Sequence, residues 1–148
     1  MKRVLVVAGI LVLSVGAVVA QQEVANQTQT AMKATGKAMG GLAPMVKGEK
    51  PYDQAVVNTS LAQLEETAKK LPAMFPDSIK GLKIEGDYSS SPKVWEDKAG
   101  FAAKIDSFAK AVTEAKGKIK DLDSLKAAVP ALGKECSGCH ETYRLKNS

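Results

Sequence analysis

Apolar residues recur along this chain at spacings of three and four, the period of a helix with one buried stripe. Val24, Thr28, Met32, Thr35, Met39, Leu42 and Val46 form the first set. A helix over that span is about 34 Å long, at ~1.5 Å per residue. Val57, Leu61, Leu64, Ala68 and Leu71 form the second, which Pro72 stops, and Glu65 with Lys69 and Glu66 with Lys70 make i,i+4 pairs on its outer face. The third, Phe101, Ile105, Phe108, Val112, Ala115 and Ile119, predicts a helix from about Lys93 to Lys118, with Ser91 as N-cap and Pro92 at the first helical position. The fourth carries Leu125, Val129, Leu132, Cys136, Cys139 and Tyr143, with both cysteines near one face. Pro130 lies inside it, and an interior proline removes a hydrogen bond, so a short lead-in turn followed by a long helix is predicted.

No run alternates apolar and polar residues between turn signals, so no sheet is expected. The connections fall at Gly48 to Tyr52, at about Pro72 to Pro92, and at about Gly117 to Asp123. Two short links and one long irregular one, marked by Pro72, Pro76, Gly81, Gly86 and the SSSP run, predict an all-α fold: an antiparallel four-helix bundle. No internal repeat or low-complexity tract interrupts it.

The first twenty residues stand apart. Lys2 and Arg3 precede an apolar run from Val4 to Val19, with Ala20 at a cleavage point and a polar QQEVANQTQT stretch beyond. That layout predicts a secretory signal over residues 1–20, cleaved to leave one domain over 21–148. The run is shorter than a transmembrane helix requires, so no membrane attachment is expected after cleavage. Without Lys2 and Arg3 the chain holds 19 Lys and Arg against 16 Asp and Glu, a net charge of +3. No block of like charges and no aromatic interleaving of a basic stretch is present, which excludes the usual nucleic-acid signatures.

Export implies an oxidising compartment, where two cysteines ordinarily suggest a disulfide. Their spacing suggests other chemistry. Cys136-Ser-Gly-Cys139-His140 is a C-x-x-C-H run, the attachment pattern of c-type haem. Each thiol adds across one vinyl group, forming a thioether, and the histidine beside the second cysteine can turn its imidazole to the iron. Zinc requires three or four protein ligands, and the mature chain offers two Cys and one His, leaving carboxylates for the rest. A thioredoxin-like pair expects a βαβ context that is missing. A plain disulfide leaves His140 without a reason. His140 is the only histidine, which excludes bis-histidine ligation within one subunit.

A sixth ligand, if there is one, has to come from another residue type. Four methionines follow the leader: Met32, Met39, Met45 and Met74. Met39 suits core filling, and Met45 and Met74 suit a loop or bundle end. Met32 has Thr28 and Gly36 one turn away on either side, both small, so a flat group can approach there. Gly36, Gly40 and Gly41 each cost about 1 kcal/mol relative to Ala in a helix interior, which fits a need for close approach. Spacing alone leaves Met32 either as a core residue or as one facing the group.

CSGCHETYR near the end of an all-α exported chain with four predicted helices resembles the class II c-type cytochromes, the group of the cytochromes c′. The resemblance runs from about Gln22 to Lys146. MKATGKAMG, KGEKPYD, LPAMFPDSIKGLK, YSSSPKVW and AKGKIKD are similar to its low-spin branch, the cytochromes c-556 of purple bacteria. The resemblance implies one covalent haem c with iron held by His140 and Met32. It further implies a periplasmic carrier of single electrons that is not an enzyme, works with redox partner proteins, and is a monomer or homodimer. In cytochromes c′ the position of Met32 holds a non-ligating residue, sometimes methionine, over five-coordinate iron, and binding of NO or CO is the alternative function. The chain departs from the family at Thr28, where many members have an arginine near a haem propionate. Arg144, four residues after His140, is assigned to the haem edge or a propionate. The competing role for Arg144 is a solvated cation in the last helical turn.

Overall fold

A computed structural model describes residues 4–82, 84 and 86–147, with side chains from residue 19 onward. Helices α1 (Val4–Val46), α2 (Gln54–Lys70), α4 (Lys98–Lys118) and α5 (Leu122–Tyr143) are the long elements, and α3 (Lys93–Glu96) is a single turn before α4. α1 packs on α2, α2 on α4, α4 on α5 and α5 on α1, so the four long helices close into the expected bundle. The leader expected at residues 1–20 lies almost wholly outside the described side chains; its backbone from Val4 is the first part of α1. Among the described residues, no helix is long and apolar enough to cross a membrane.

Local chemistry sets the ends. Past α1, Gly48 takes φ +76° while its N–H donates to the Met45 carbonyl (3.1 Å), a left-handed turn that a side chain would strain. Asp53 caps α2 by accepting from the Ala55 and Val56 N–H groups (2.8 and 3.2 Å). Asp121 and Ser124 form a reciprocal capping box at the start of α5. The outer face of α2 carries both expected pairs, Lys69–Glu65 at 3.2 Å and Lys70–Glu66 at 2.5 Å, and Glu65 also pairs with Lys116 of α4.

Three expectations about the helices need correction. The helix predicted from Lys93 to Lys118 is broken at Asp97, whose φ/ψ of −119°/61° is not helical. Asp97 instead caps α4, accepting from the Gly100 N–H at 3.0 Å. Pro92, not Ser91, is the cap residue of α3, although the Ser91 hydroxyl accepts from the Lys93 N–H at 3.3 Å. Pro130 does not divide α5. It lies on the exposed side of α5, and the helix runs through it.

The fold also contains a ribbon that was not expected. β1 (Tyr88–Ser90) pairs antiparallel with β2 (Arg144–Lys146), with Ser89 opposite Leu145. Three residues are too few to show an alternating pattern, and the pairing follows from where α5 delivers the chain. Met45 sits at the bundle end as expected, one residue before α1 stops, but it is buried in the core there, and its sulfur accepts from the Asp53 N–H at 3.2 Å.

Two apolar clusters result. The larger joins Leu42, Met45, Val57, Leu64, Val112, Leu125 and Leu132 along the bundle. A smaller one joins Ile79, Val94, Trp95 and Tyr143 at the ribbon end. Cys136 packs against the first and Cys139 against the second.

Candidate functional site

The step between the two cysteines therefore spans the seam between the cores, and a cavity of about 630 Å³ occupies that seam. This is within the range of roughly 300–1,000 Å³ common for ligand and cofactor sites. α1 supplies Thr28, Met32, Thr35, Gly36 and Met39, and α5 supplies Cys136, Cys139 and His140. Phe75, Trp95 and Phe101 form part of the wall. Tyr88, Ser89, Ser90 and Arg144 close one edge from the ribbon. All five residues expected at the site, Cys136, Cys139, His140, Met32 and Arg144, line this one cavity.

Electrostatics fit the donor set. Both thiols are free and half-buried, and burial is the first cause that pushes each above the ordinary thiol value. For Cys139 the nearby Lys104 ammonium opposes that rise. Burial, then the Arg144 charge, hold His140 below the ordinary imidazole value, which favours the neutral ring that ligates a metal. Among the described residues, no three His, Cys, Asp or Glu side chains gather to hold a bare metal ion, so the zinc reading lacks its ligands.

Glycine placement divides. A Cβ on Gly36 meets no protein atom within 4 Å, and Gly36 lines the cavity, so open space lies before it. Gly40 does not line the cavity, and a Cβ on Gly41 meets the Ser60 hydroxyl at 3.5 Å, which makes Gly41 a contact between α1 and α2. Of Gly36, Gly40 and Gly41, only Gly36 lines the cavity.

Arg144 lines the cavity, and it does not have the setting its competing role requires. It is the C-cap of α5 and the first residue of β2, with φ/ψ of −122°/141°, rather than part of the last helical turn. Its guanidinium lies 4.1 Å from the Tyr88 ring centroid, a cation–π contact across the ribbon. Tyr143 is buried, and its hydroxyl donates to Asp97 at 2.7 Å. Phe101 meets Phe75 and Tyr143 edge to face, with centroids 5.1 and 5.0 Å apart.

The ribbon residues and the aromatic wall were not foreseen as parts of the site. Phe75, Tyr88, Trp95 and the serines sit in or beside the long connection, where no period assigns a face. The presence of Phe75 and Tyr88 within an irregular connection was the one signal available.

Comparison with known proteins places these features. Residues 23–144 match the family described as Cytochrome C'. The chain is 55% identical to cytochrome c-556 of Rhodopseudomonas palustris over 99% of both chains. It is 44% identical to cytochrome c′ of the same organism, over 99% of this chain and 98% of that one. In three dimensions it is similar to an NMR-validated structural model of oxidised R. palustris cytochrome c556, with a TM-score of 0.76 and 54% identity, covering 86% of this chain and 99% of that one.

Proposed function

The chain belongs to the cytochrome c′ family, a four-helix-bundle family that binds covalent haem c, and on that footing we propose that it is a low-spin electron carrier with His140 and Met32 on the two axial faces of its iron. One observation carries the proposal: Met32 of α1 and His140 of α5 line the same apolar-walled cavity as the two attachment cysteines. The haem supplies a one-electron Fe(III)/Fe(II) couple. The chain's part is to keep both ligands in place through both oxidation states. A thioether sulfur favours the reduced iron and raises the potential. With both axial positions filled there is no site for a substrate, so the protein is not an enzyme.

Arg144, exposed at the cavity edge and fixed on the Tyr88 ring, is suited to hold a propionate there. Residues 1–20 are read as a leader that sends the protein to the periplasm. The family match begins at residue 23, and the R. palustris c556 structure falls short of this chain by close to that length, which supports the reading. Its partners are redox proteins of that compartment.

Met32→Ala tests the ligand set. The oxidised protein is expected to change from low spin to high spin, its potential to fall, and the reduced form to bind CO much faster than the parent. Met39 also lines the cavity but packs against the larger core, as Met32 does not; Met39→Leu, Met45→Leu and Met74→Leu are expected to leave the spectrum unchanged. A parent that is already high spin and binds CO readily would instead support the gas-binding function, with Met32 only lining the distal pocket.

A further inference from the structure

Two buried threonines flank Met32 on the inner face of α1, and each reaches out of its own helix. The Thr28 hydroxyl lies 3.0 Å from the Val24 carbonyl and 2.9 Å from the Met74 carbonyl, in the loop beyond α2. The Thr35 hydroxyl lies 2.9 Å from the Ala31 carbonyl and 2.9 Å from the Thr67 hydroxyl of α2. Thr67 is itself set, since its hydroxyl donates to the Gln63 carbonyl at 3.1 Å and accepts from the Gln63 amide at 3.3 Å. Thr28 and Thr35 are seven residues apart, about 10 Å along the helix, with Met32 between them. All three threonines line the cavity and are buried, Thr67 to 1% exposure.

We infer that Thr28 and Thr35 are positioning residues that fix the height and rotation of α1 and thereby hold the Met32 sulfur on the iron; this rests on the low-spin reading above. Methionine has three rotatable side-chain bonds, so its sulfur has no fixed place of its own and depends on the frame that carries it. One cross-element bond permits α1 to pivot. Two, placed above and below Met32, prevent both pivoting and sliding.

The test is the rate at which the reduced holoprotein binds CO at saturating CO, where the rate approaches that of Met32 leaving the iron. Thr28→Val and Thr35→Val, which keep the side-chain volume and remove the hydroxyl, are each expected to raise that limit about fivefold, the scale of one net hydrogen bond. The double variant is expected to raise it about 25-fold if the two sites act independently. Thr28→Ser and Thr35→Ser restore the hydroxyl and are expected to return the rate to that of the parent. Thr67→Val leaves α1 unaltered and is expected to reproduce Thr35→Val. Thr30→Val serves as control, because Thr30 is exposed and its hydroxyl donates within its own helix, to the Asn26 carbonyl at 2.9 Å. A low-spin parent whose valine variants match Thr30→Val overturns this inference alone, as do serine variants that fail to restore the rate. A high-spin parent overturns it together with the ligand assignment on which it rests.

Discussion

Tyr143 shows how much one side chain near the cysteines has to satisfy. Its position on the stripe of the fourth helix was legible from spacing, and it is buried as that spacing implies. Its hydroxyl, however, reaches Asp97, and Asp97 is also the residue that breaks α3 from α4. A Cβ on Gly100 would run into both the Asp97 carboxylate and the Tyr143 hydroxyl, so a larger residue there would have to displace that hydrogen-bonded pair. The bond to Asp97, followed by burial and the carboxylate charge, raises the Tyr143 phenol from 10.0 to about 12. The same bond, with the Gly100 N–H, lowers Asp97 below the ordinary carboxylate value. A phenol raised in the folded state contributes stability that is complete below its unfolded value and is lost as the pH rises from 10 through about 12. A lowered carboxylate contributes stability that is lost as the pH falls through its folded value. Tyr143→Phe is therefore expected to melt at a lower temperature than the parent at pH 7, and the gap to narrow between pH 10 and 12. Thermal unfolding at several pH values checks this. A gap that is absent at pH 7, or constant through pH 12, would remove the bond from the stability of the protein.

At the level of elements, the four stripes were legible because each helix is long and buries one face. The interruptions were not. A single residue decides the break at Asp97, and its φ/ψ leaves no trace in a period of 3.6. At Pro130 the usual effect of proline is overridden because the lost bond is on the wet side of α5. The ribbon was illegible for a related reason, since three-residue strands carry no pattern and their pairing depends on the Ser91 N–H meeting the Tyr143 carbonyl at 3.0 Å and the Asn147 N–H meeting Asp87 at 2.8 Å. Pro130→Ala is expected to stabilise the protein by roughly 2 kcal/mol. It recovers about 3 kcal/mol of helix propensity, the lost hydrogen bond included, less up to about 1 kcal/mol because the unfolded chain becomes freer. Denaturant unfolding with an unchanged slope and an unchanged visible spectrum would bear this out. A loss of stability would mean that the proline shapes α5 in a way the packing requires.

At the scale of the whole molecule, the cavity lies where the two apolar cores meet, and Cys136 and Cys139 reach one core each. A group bonded to both would bridge the bundle and the ribbon end. The C-x-x-C-H run and the all-α pattern made the attachment side of this site legible, because that chemistry is local in sequence. The opposite side was less legible, since Met32 lies more than a hundred residues from His140 and only the bundle brings them to one cavity. The most direct test of the electron-carrier function is the spin state of the purified holoprotein near pH 7, by paramagnetic resonance of the oxidised form and by the visible spectrum of both forms. Low-spin iron in both oxidation states, with a sulfur-to-iron charge-transfer band in the oxidised spectrum, is the expected result. High-spin iron in either state would contradict it.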